Sequence, residues 1–194
     1  MVSFRANRIE YIAKLINAKN YLEIGVNRGD TFFNVNLQNK IGVDPAFKFI
    51  PENRLHDGVA FFQMPSDIFF EHWKAGNKNY DIIAMPDYVI PDTFDIIFID
   101  GLHTFEQSLR DFENSLQFSH DTTVWVLDDT IPSDPYSAEP DCALSQSARK
   151  AAGIADGTWQ GDVYKTVLAI HDQYTNFSYL TLISGGPQTI IWKS

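Results

Sequence analysis

Short apolar runs alternate with amphipathic stretches along this chain. Four of the runs carry an acidic residue at or near the carboxyl end, and they cover residues 21–25, 41–44, 94–100 and 124–128. A strand that is covered on both faces of a parallel sheet is apolar throughout, so these runs predict buried parallel strands. Residues 59–64 form a further short strand candidate.

Helical spacing of apolar residues fills the intervals between these strands. In the first helical stretch, Ile9, Ile12 and Ile16 recur with the period of a helix. The predicted helices cover residues 4–18, 66–73, 104–118 and 162–174. Regular alternation of strands and helices predicts a doubly wound α/β sheet with helices on both faces.

The carboxyl-terminal part of the chain has a different pattern. Residues 178–183 and 188–192 are two strand candidates, and the Ser-Gly-Gly-Pro sequence at 184–187 between them suits a hairpin. We therefore expect a mostly parallel sheet whose last strand is antiparallel. Residues 132–140 form a loop by composition, which can serve as a lid because it follows a strand end, whereas residues 77–93 give no clear pattern.

Composition narrows the class of protein. The 194 residues, of which 44% are hydrophobic, predict one domain over 1–194, with an N-terminal helix in 1–19 and a core in 20–194. A net charge of −10 disfavours nucleic acid as a partner. Cys142 is the single cysteine, and neither a membrane-spanning stretch nor a signal-peptide core is present. We expect a soluble cytoplasmic protein that has no membrane partner.

Acidic residues mark the strand ends where a ligand would bind. Glu23, Asp44, Asp100 and Asp128 occupy such positions, and in an open α/β sheet the ligand crevice lies outside the carboxyl ends of the strands. Asp44 is placed to bind ribose hydroxyls, or to cap the turn into Pro45.

The first strand leads into a glycine-containing turn. Gly25 and Gly29 allow close approach of a ligand, although a tight turn without any ligand explains them equally well. Asn27 stands where the dinucleotide fingerprint has its middle glycine, so an NAD-binding protein is disfavoured.

Two segments together resemble a known family. The sequence EIGVNRG at 23–29, followed by GVDP at 42–45, resembles motifs one and two of class I S-adenosylmethionine-dependent methyltransferases. This resemblance implies a Rossmann-like, seven-stranded sheet with an antiparallel last strand and S-adenosylmethionine as cofactor. The cofactor-binding residues that it implies are Glu23, Gly25, Asn27, Gly29, Asp44, Ser66, Asp67 and Asp100. For Ser66 and Asp67, a helix N-cap is an equally good explanation.

Two later segments resemble metal-dependent small-molecule O-methyltransferases of the catechol and macrolide-sugar types. They are FDIIFIDGLHTFE at 94–106 and VWVLDDT at 124–130. The resemblance implies Asp100, Asp128 and Asp129 as metal ligands. Clustered carboxylates repel each other unless a cation lies among them, and oxygen ligands favour Mg²⁺. Alternatively, Asp129 caps the following loop.

His103 lies three residues after Asp100, where the catechol enzyme has its catalytic lysine. A histidine at that place can take the proton of an acceptor hydroxyl near neutral pH, or it can be an exposed residue at a helix entry. The other histidines show no partner pattern and are expected to be structural or exposed: His56, His72, His120 and His171.

The sequence thus predicts Mg²⁺-assisted methylation of a small-molecule hydroxyl. Alternatives are an inactive S-adenosylmethionine-binding domain and a related metal-dependent oxygenase of the cephalosporin hydroxylase type. The oxygenase is ranked lower because this sequence has no clear set of two histidines and one carboxylate. Acceptor contacts are expected from loops 77–93 and 131–161, or from a second subunit of a homo-oligomer. The aromatic candidates there are Tyr88, Tyr136 and Trp159.

Overall fold

Eight strands form one continuous sheet in the computed structural model, which describes residues 4–74, 82–155 and 158–194. The strands are β1 Asn20–Ile24, β2 Asn39–Val43, β3 Val59–Phe62, β4 Ile82–Ala84, β5 Phe94–Ile99, β6 Ser119–Asp128, β7 Phe177–Leu182 and β8 Gln188–Lys193. The α-helices are α1 Phe4–Ile16, α2 Ser66–Lys74, α3 Phe105–Ser115, α4 Cys142–Ala151 and α5 Tyr164–Gln173. Short 3-10 helices cover Phe32–Asn34, Pro51–Arg54 and Leu116–Phe118.

The strand order is β4-β3-β2-β1-β5-β6-β8-β7. Strands β1, β2, β3, β5 and β6 run parallel, whereas β8 is antiparallel to both β6 and β7. The predicted doubly wound sheet with an antiparallel last strand is confirmed. The family resemblance implied seven strands, whereas the sheet has eight, because β4 pairs antiparallel with β3 at the sheet edge. This strand lies in the segment 77–93, of which residues 77–81 are outside the described part.

Alternate residues of the strands supply two separate cores. Leu22, Ile97 and Trp125 face the side that α2, α3 and α5 cover. The other face carries Tyr21 and Phe98. Their core also contains α1 residues and further strand residues: Ala6, Ile9, Ile12, Ala13, Ile96, Val124 and Val126. Because strand side chains alternate between faces, the position of a strand-end residue in the sequence decides which of the two helix-covered faces its side chain meets.

Helix α4 was not predicted from the sequence. Asp141 caps it by accepting hydrogen bonds from the amides of Ala143 at 2.8 Å and Leu144 at 2.9 Å. The residues that it buries are Ser145 and Arg149. A helix whose buried side is polar gives no apolar periodicity, so the pattern that finds the other helices misses this one.

None of the helices in the described residues has the length and apolar character that a membrane crossing requires.

Candidate functional site

A cavity of about 580 Å³ lies at the carboxyl ends of the parallel strands. Seven of the residues predicted to bind the cofactor line it: Glu23, Gly25, Asn27, Asp44, Ser66, Asp67 and Asp100. Gly29 is the one predicted residue that is not among the lining residues. The position agrees with the general location of ligands in open α/β sheets.

The two glycines of the first turn are required by neighbouring protein atoms. Gly25 has φ +86°, and a Cβ there would lie 2.0 Å from the carbonyl oxygen of Asp100. Gly29 has φ +80°, and its Cβ would meet the ring of Phe33 at 2.1 Å. The close approach that these glycines permit is therefore between the turn and the rest of the protein, whatever ligand the cavity holds.

Asp44 holds the glycine turn against the end of β2. Its Oδ2 accepts a hydrogen bond from the amide of Asn27 at 2.7 Å, and its Oδ1 accepts one from the amide of Ala46 at 2.7 Å. Asn27 is in the left-handed region with φ 51°, which asparagine tolerates better than most residues. Asp44 thus caps the turn, and it also lines the cavity.

Glu23 is buried at the end of β1. The hydroxyl of Tyr21, two residues earlier on the same face, donates a hydrogen bond to Glu23 Oε2 at 2.5 Å. Burial raises the pKa of Glu23 to about 8, although the Tyr21 hydrogen bond and the charges of Lys40 and Arg5 act in the opposite direction. The cavity therefore presents a largely neutral carboxyl at pH 7, and a bound cation would favour its ionised form.

Helix α3 supports the residues that begin α2. The side-chain amide of Gln107 donates to Ser66 Oγ at 3.2 Å, Asp67 Oδ1 at 3.3 Å and Asp111 Oδ1 at 3.0 Å. Asp111 is buried, and burial raises its pKa to about 6. Gln107 itself lines the cavity, so it belongs to the site although the sequence did not single it out.

The acidic residues at the ends of β5 and β6 separate into two groups. Ligand atoms from Asp100, His103 and Asp129 lie within 4.8 Å of one another. Asp129 has φ 56°, so the chain turns directly after β6 and its side chain reaches His103. Asp128 instead forms an ion pair with Nε of Arg5 from α1. Among the described residues, the carboxylates and imidazole of the first group fit a divalent cation.

The ring of His103 is fixed by the segment that precedes α5. It stacks on Trp159 with a centroid distance of 5.0 Å and an interplanar angle of 22°. Nδ1 lies 2.9 Å from the Trp159 carbonyl oxygen and 3.2 Å from Asp129 Oδ2. Both of these neighbours are hydrogen-bond acceptors, so Nδ1 carries a proton. Nε2 faces Asp100 Oδ1 at 3.4 Å.

This environment changes the charge of His103. Burial lowers its pKa, but the hydrogen bond to Asp100 and the charges of Asp129 and Asp100 raise it further, to about 9. The imidazole is thus positively charged at pH 7 while these acids are ionised. The sequence predicted that His103 is a neutral base near pH 7. With its pKa raised to about 9, His103 must first lose a proton before it can act as that base.

The remaining candidates lie elsewhere. Tyr88 lines a different pocket with Asn20 and Asn39, at the amino ends of β1 and β2, so the described part of loop 77–93 is at the opposite edge of the sheet. Tyr136 is 42% exposed, and the ring of Trp159 is in contact with His103. Of the other histidines, none lines the 580 Å³ cavity.

Several basic residues of the site were not among the candidates from the sequence. Arg5, Arg28 and Lys48 line the cavity. Arg5 is in the first turn of α1, far from every motif, and only the packing of α1 on the sheet brings it to the strand ends. A single arginine at a helix start is an ordinary surface residue by sequence pattern alone.

Comparisons with known proteins place this geometry in context. A family model described as a methyltransferase domain matches residues 22–130, which is more than half of the chain. No curated protein sequence matches this chain.

Solved structures share the fold at low sequence identity. An O-methyltransferase from Bacillus cereus in complex with SAH has a TM-score of 0.63 and 16% identity, with 97% of this chain and 80% of that chain covered. The SAH-bound methyltransferase PaMTH1 from Podospora anserina has a TM-score of 0.65 and 12% identity, with coverages of 98% and 78%. At such identities the likeness concerns the fold.

Proposed function

Because the chain belongs to the methyltransferase domain family, we propose that it transfers the methyl group of S-adenosylmethionine to a hydroxyl oxygen of a small molecule. The observation that supports this proposal most strongly is the 580 Å³ cavity, which seven of the eight predicted cofactor-binding residues line. The two fold neighbours described above were solved with SAH, the product of that cofactor.

The cavity residues suit the parts of this cofactor. Glu23 would bind the methionine ammonium group, because a buried carboxyl gains most from a cation that replaces its lost hydration. The lone pairs of Asp44 that its two amide contacts leave unused would accept from the ribose hydroxyls. Ser66 and Asp67, supported by Gln107, would lie against the adenine.

The transfer itself is a direct displacement. A bond forms between the acceptor oxygen and the methyl carbon, the carbon–sulfur bond breaks, and its electron pair returns to sulfur. Holding the two reacting groups in line contributes much of the acceleration. The hydroxyl proton would pass to Nε2 of His103, because Nδ1 already donates towards Trp159 and Asp129.

The cluster of acidic residues at the strand ends supports a divalent ion, predicted to be Mg²⁺. Asp100, His103 and Asp129 would hold it, and when bound it would orient the acceptor hydroxyl and lower the pKa of that hydroxyl. An imidazole nitrogen in the set also suits first-row transition metals. One nitrogen of His103 cannot bind an ion and take a proton at the same time, so the two roles exclude each other at Nε2.

The acceptor is proposed to be small and uncharged or cationic. The net charge of −10 repels a nucleic-acid backbone. Loop 131–161, within its described residues, contributes Trp159 beside His103, so this loop borders the acceptor side of the site. Residence in the cytoplasm and assembly into a homo-oligomer remain predictions from the sequence.

Calorimetric titration of S-adenosylhomocysteine into the purified protein tests the cofactor. We expect micromolar binding, and we expect E23Q to weaken it about tenfold, which corresponds to 1.4 kcal/mol. G153A, at an exposed glycine with no atom near its Cβ position, is the matched control and should bind as the wild type does. Absence of binding by the folded wild-type protein would refute the proposal.

Turnover with added ions tests the chemistry. Methyl transfer to a panel of phenolic and sugar hydroxyls should fall by 10²- to 10⁴-fold in H103Q, roughly the contribution of a general base. If turnover requires Mg²⁺ or Mn²⁺ and H103Q also loses affinity for the ion, His103 acts as a ligand. If turnover is independent of the ion but still lost in H103Q, His103 acts as the base.

A further inference from the structure

Arg5 is the one residue of α1 that reaches the acidic strand ends. Its Nε contacts Asp128 Oδ2, and its Nη1 lies 3.8 Å from Asp100 Oδ2. The guanidinium lines the cofactor cavity. Burial lowers the pKa of Arg5, but the nearby carboxylates, Asp100 and Asp128 foremost, raise it above its ordinary value. Arg5 is therefore a permanent positive charge at this edge of the sheet.

The strand alternation explains why Arg5 meets these acids. Phe98 and Val126 belong to the core cluster that α1 covers. Asp100 and Asp128 each follow two residues later, so they lie on the same face of the sheet as α1. The left-handed turn at Asp129 takes the next carboxylate out of this alternation and towards His103.

Asp128 depends on this contact. Its side chain is 1% exposed, and its polar neighbours among the described residues are the Arg5 guanidinium and the backbone amide of Asp129. A buried carboxyl group gains most from a cationic partner that replaces its lost hydration. Within the described part of the chain, the Arg5 guanidinium is the positive group in ion-pair contact with it.

We propose that Arg5 stays in an ion pair with Asp128, so that Asp128 does not bind a divalent ion. The ion-binding residues are then Asp100, His103 and Asp129. The inference rests on the proposed function in so far as that function includes a metal ion. Arg5 is a positioning residue in this arrangement: it fixes one carboxylate of the acidic edge and, by its charge, weakens binding of a second cation beside it.

Titration with Mn²⁺ alone, followed by electron paramagnetic resonance of the free ion, tests the division of the acids. We expect D128N to lower the affinity of the wild-type protein by clearly less than tenfold, because Asp128 is not a ligand and only its charge beside Arg5 is lost. R5Q should raise the affinity at least tenfold, because it frees Asp128 and removes a neighbouring positive charge. D128N in the R5Q background should cancel that gain.

R8Q is the matched control for a loosened helix. Arg8 lies one turn further along α1, and its Nη1 donates to the Gly186 carbonyl at 2.6 Å and to Gln188 Oε1 at 2.9 Å, away from the acids. R8Q should therefore bind Mn²⁺ as the wild type does. A tenfold loss in D128N, or an R5Q protein whose affinity is unchanged or undetectable, would overturn the proposal.

A thermal double-mutant cycle supplies a readout without metal. R5Q should lower the melting temperature of the wild type but not that of D128N, because in D128N the ion pair is already absent. Additive effects would count against the pairing. Titration of S-adenosylhomocysteine separates the two proposals: a wild-type protein that does not bind it refutes the proposed function and leaves the outcome of the Arg5 cycle intact.

Discussion

Glu23 shows how one buried side chain can influence both stability and binding. Its pKa rises from the ordinary value of 4.5 to about 8 because it is buried. Between these pH values the folded protein holds a proton that the unfolded chain has released. Folding stability contributed by this group is therefore fully present at low pH and is lost as the pH rises towards 8.

The first prediction follows from this loss of stability at rising pH. The free energy of unfolding of E23Q should decrease less than that of the wild type between pH 5 and 8, because glutamine cannot ionise. The difference in slope should be up to about 1.4 kcal/mol per pH unit. Urea denaturation at several pH values measures it, with D172N on the exposed side of α5 as control. Equal slopes for E23Q and the wild type would contradict the assignment.

The second prediction concerns Gly25. Alanine at this position must adopt a left-handed backbone conformation, and its Cβ would lie 2.0 Å from a backbone oxygen that cannot move without displacing β5. Gly153 has a similar φ of +75° but no atom within 4 Å of its Cβ position. G153A should cost about 1 kcal/mol, and G25A should cost at least about 2 kcal/mol more.

Denaturant unfolding of both variants makes the comparison. Because the backbone strain is shared, the difference between them isolates the steric contact between the glycine turn and the end of β5. Similar losses in the two variants would mean that the turn can shift away from β5 at little cost.

Helix α1 shows what an element contributes beyond its own stability. It closes one face of the sheet through Ala6, Ile9, Ile12 and Ala13, and this docking carries Arg5 to the acidic strand ends. The periodicity of its apolar residues predicts the helix and its buried face. The partner of Arg5 is set by the sheet, which no local pattern contains.

The third prediction tests this docking. Ile9 is 0% exposed and Leu15 is 65% exposed on the same helix. I9A should lower the free energy of unfolding by about 2–5 kcal/mol, whereas L15A should change it by less than about 0.5 kcal/mol. Chemical denaturation measures both. A small loss in I9A would mean that α1 contributes little to the core, and the position of Arg5 would then need another explanation.

The described residues of 131–155 and 158–162 form an element of another kind. Buried polar groups hold its described part together: Arg149, which is 2% exposed, pairs with Asp134 at 2.8 Å, and the amides of Gln160 and Gly161 donate to the Ser137 carbonyl. The segment ends beside the site, where a Cβ on Gly161 would overlap the His103 carbonyl. Composition predicts a loop near 132–140, but not the polar contacts that orient it.

At the scale of the whole molecule, one sheet separates two cores. Both cores contain residues from β1, β5 and β6, so neither can form without the central strands. This arrangement supports the prediction of a single domain over the chain, because damage to one face removes the support of the other.

The fourth prediction follows from this shared sheet. Unfolding in urea should be one cooperative transition, with the same midpoint by far-ultraviolet circular dichroism and by tryptophan fluorescence, to which the fully buried Trp125 contributes. Two separate midpoints would show that part of the chain, such as residues 131–162, unfolds independently, and the single-domain prediction would be wrong.

The sequence by itself determined the sheet, most of its helices and the carboxyl-edge crevice. These depend on local periodicity and on the rule that parallel strands end at one edge. The placement of Glu23, Asp44 and Asp100 around one cavity followed from the same rule. Helix α4 was not predicted because its buried side is polar, and β4 was not predicted because it is only three residues long.

Only the tertiary structure decided how the charged side chains pair. Neighbouring Asp128 and Asp129 look equivalent in the sequence, but strand alternation sends the first towards Arg5 and a left-handed turn sends the second towards His103. The charge of His103 likewise depends on these carboxylates and on Trp159. Such interactions arise between residues that are distant in the chain, and their energies depend on distance and burial, which only the folded arrangement fixes.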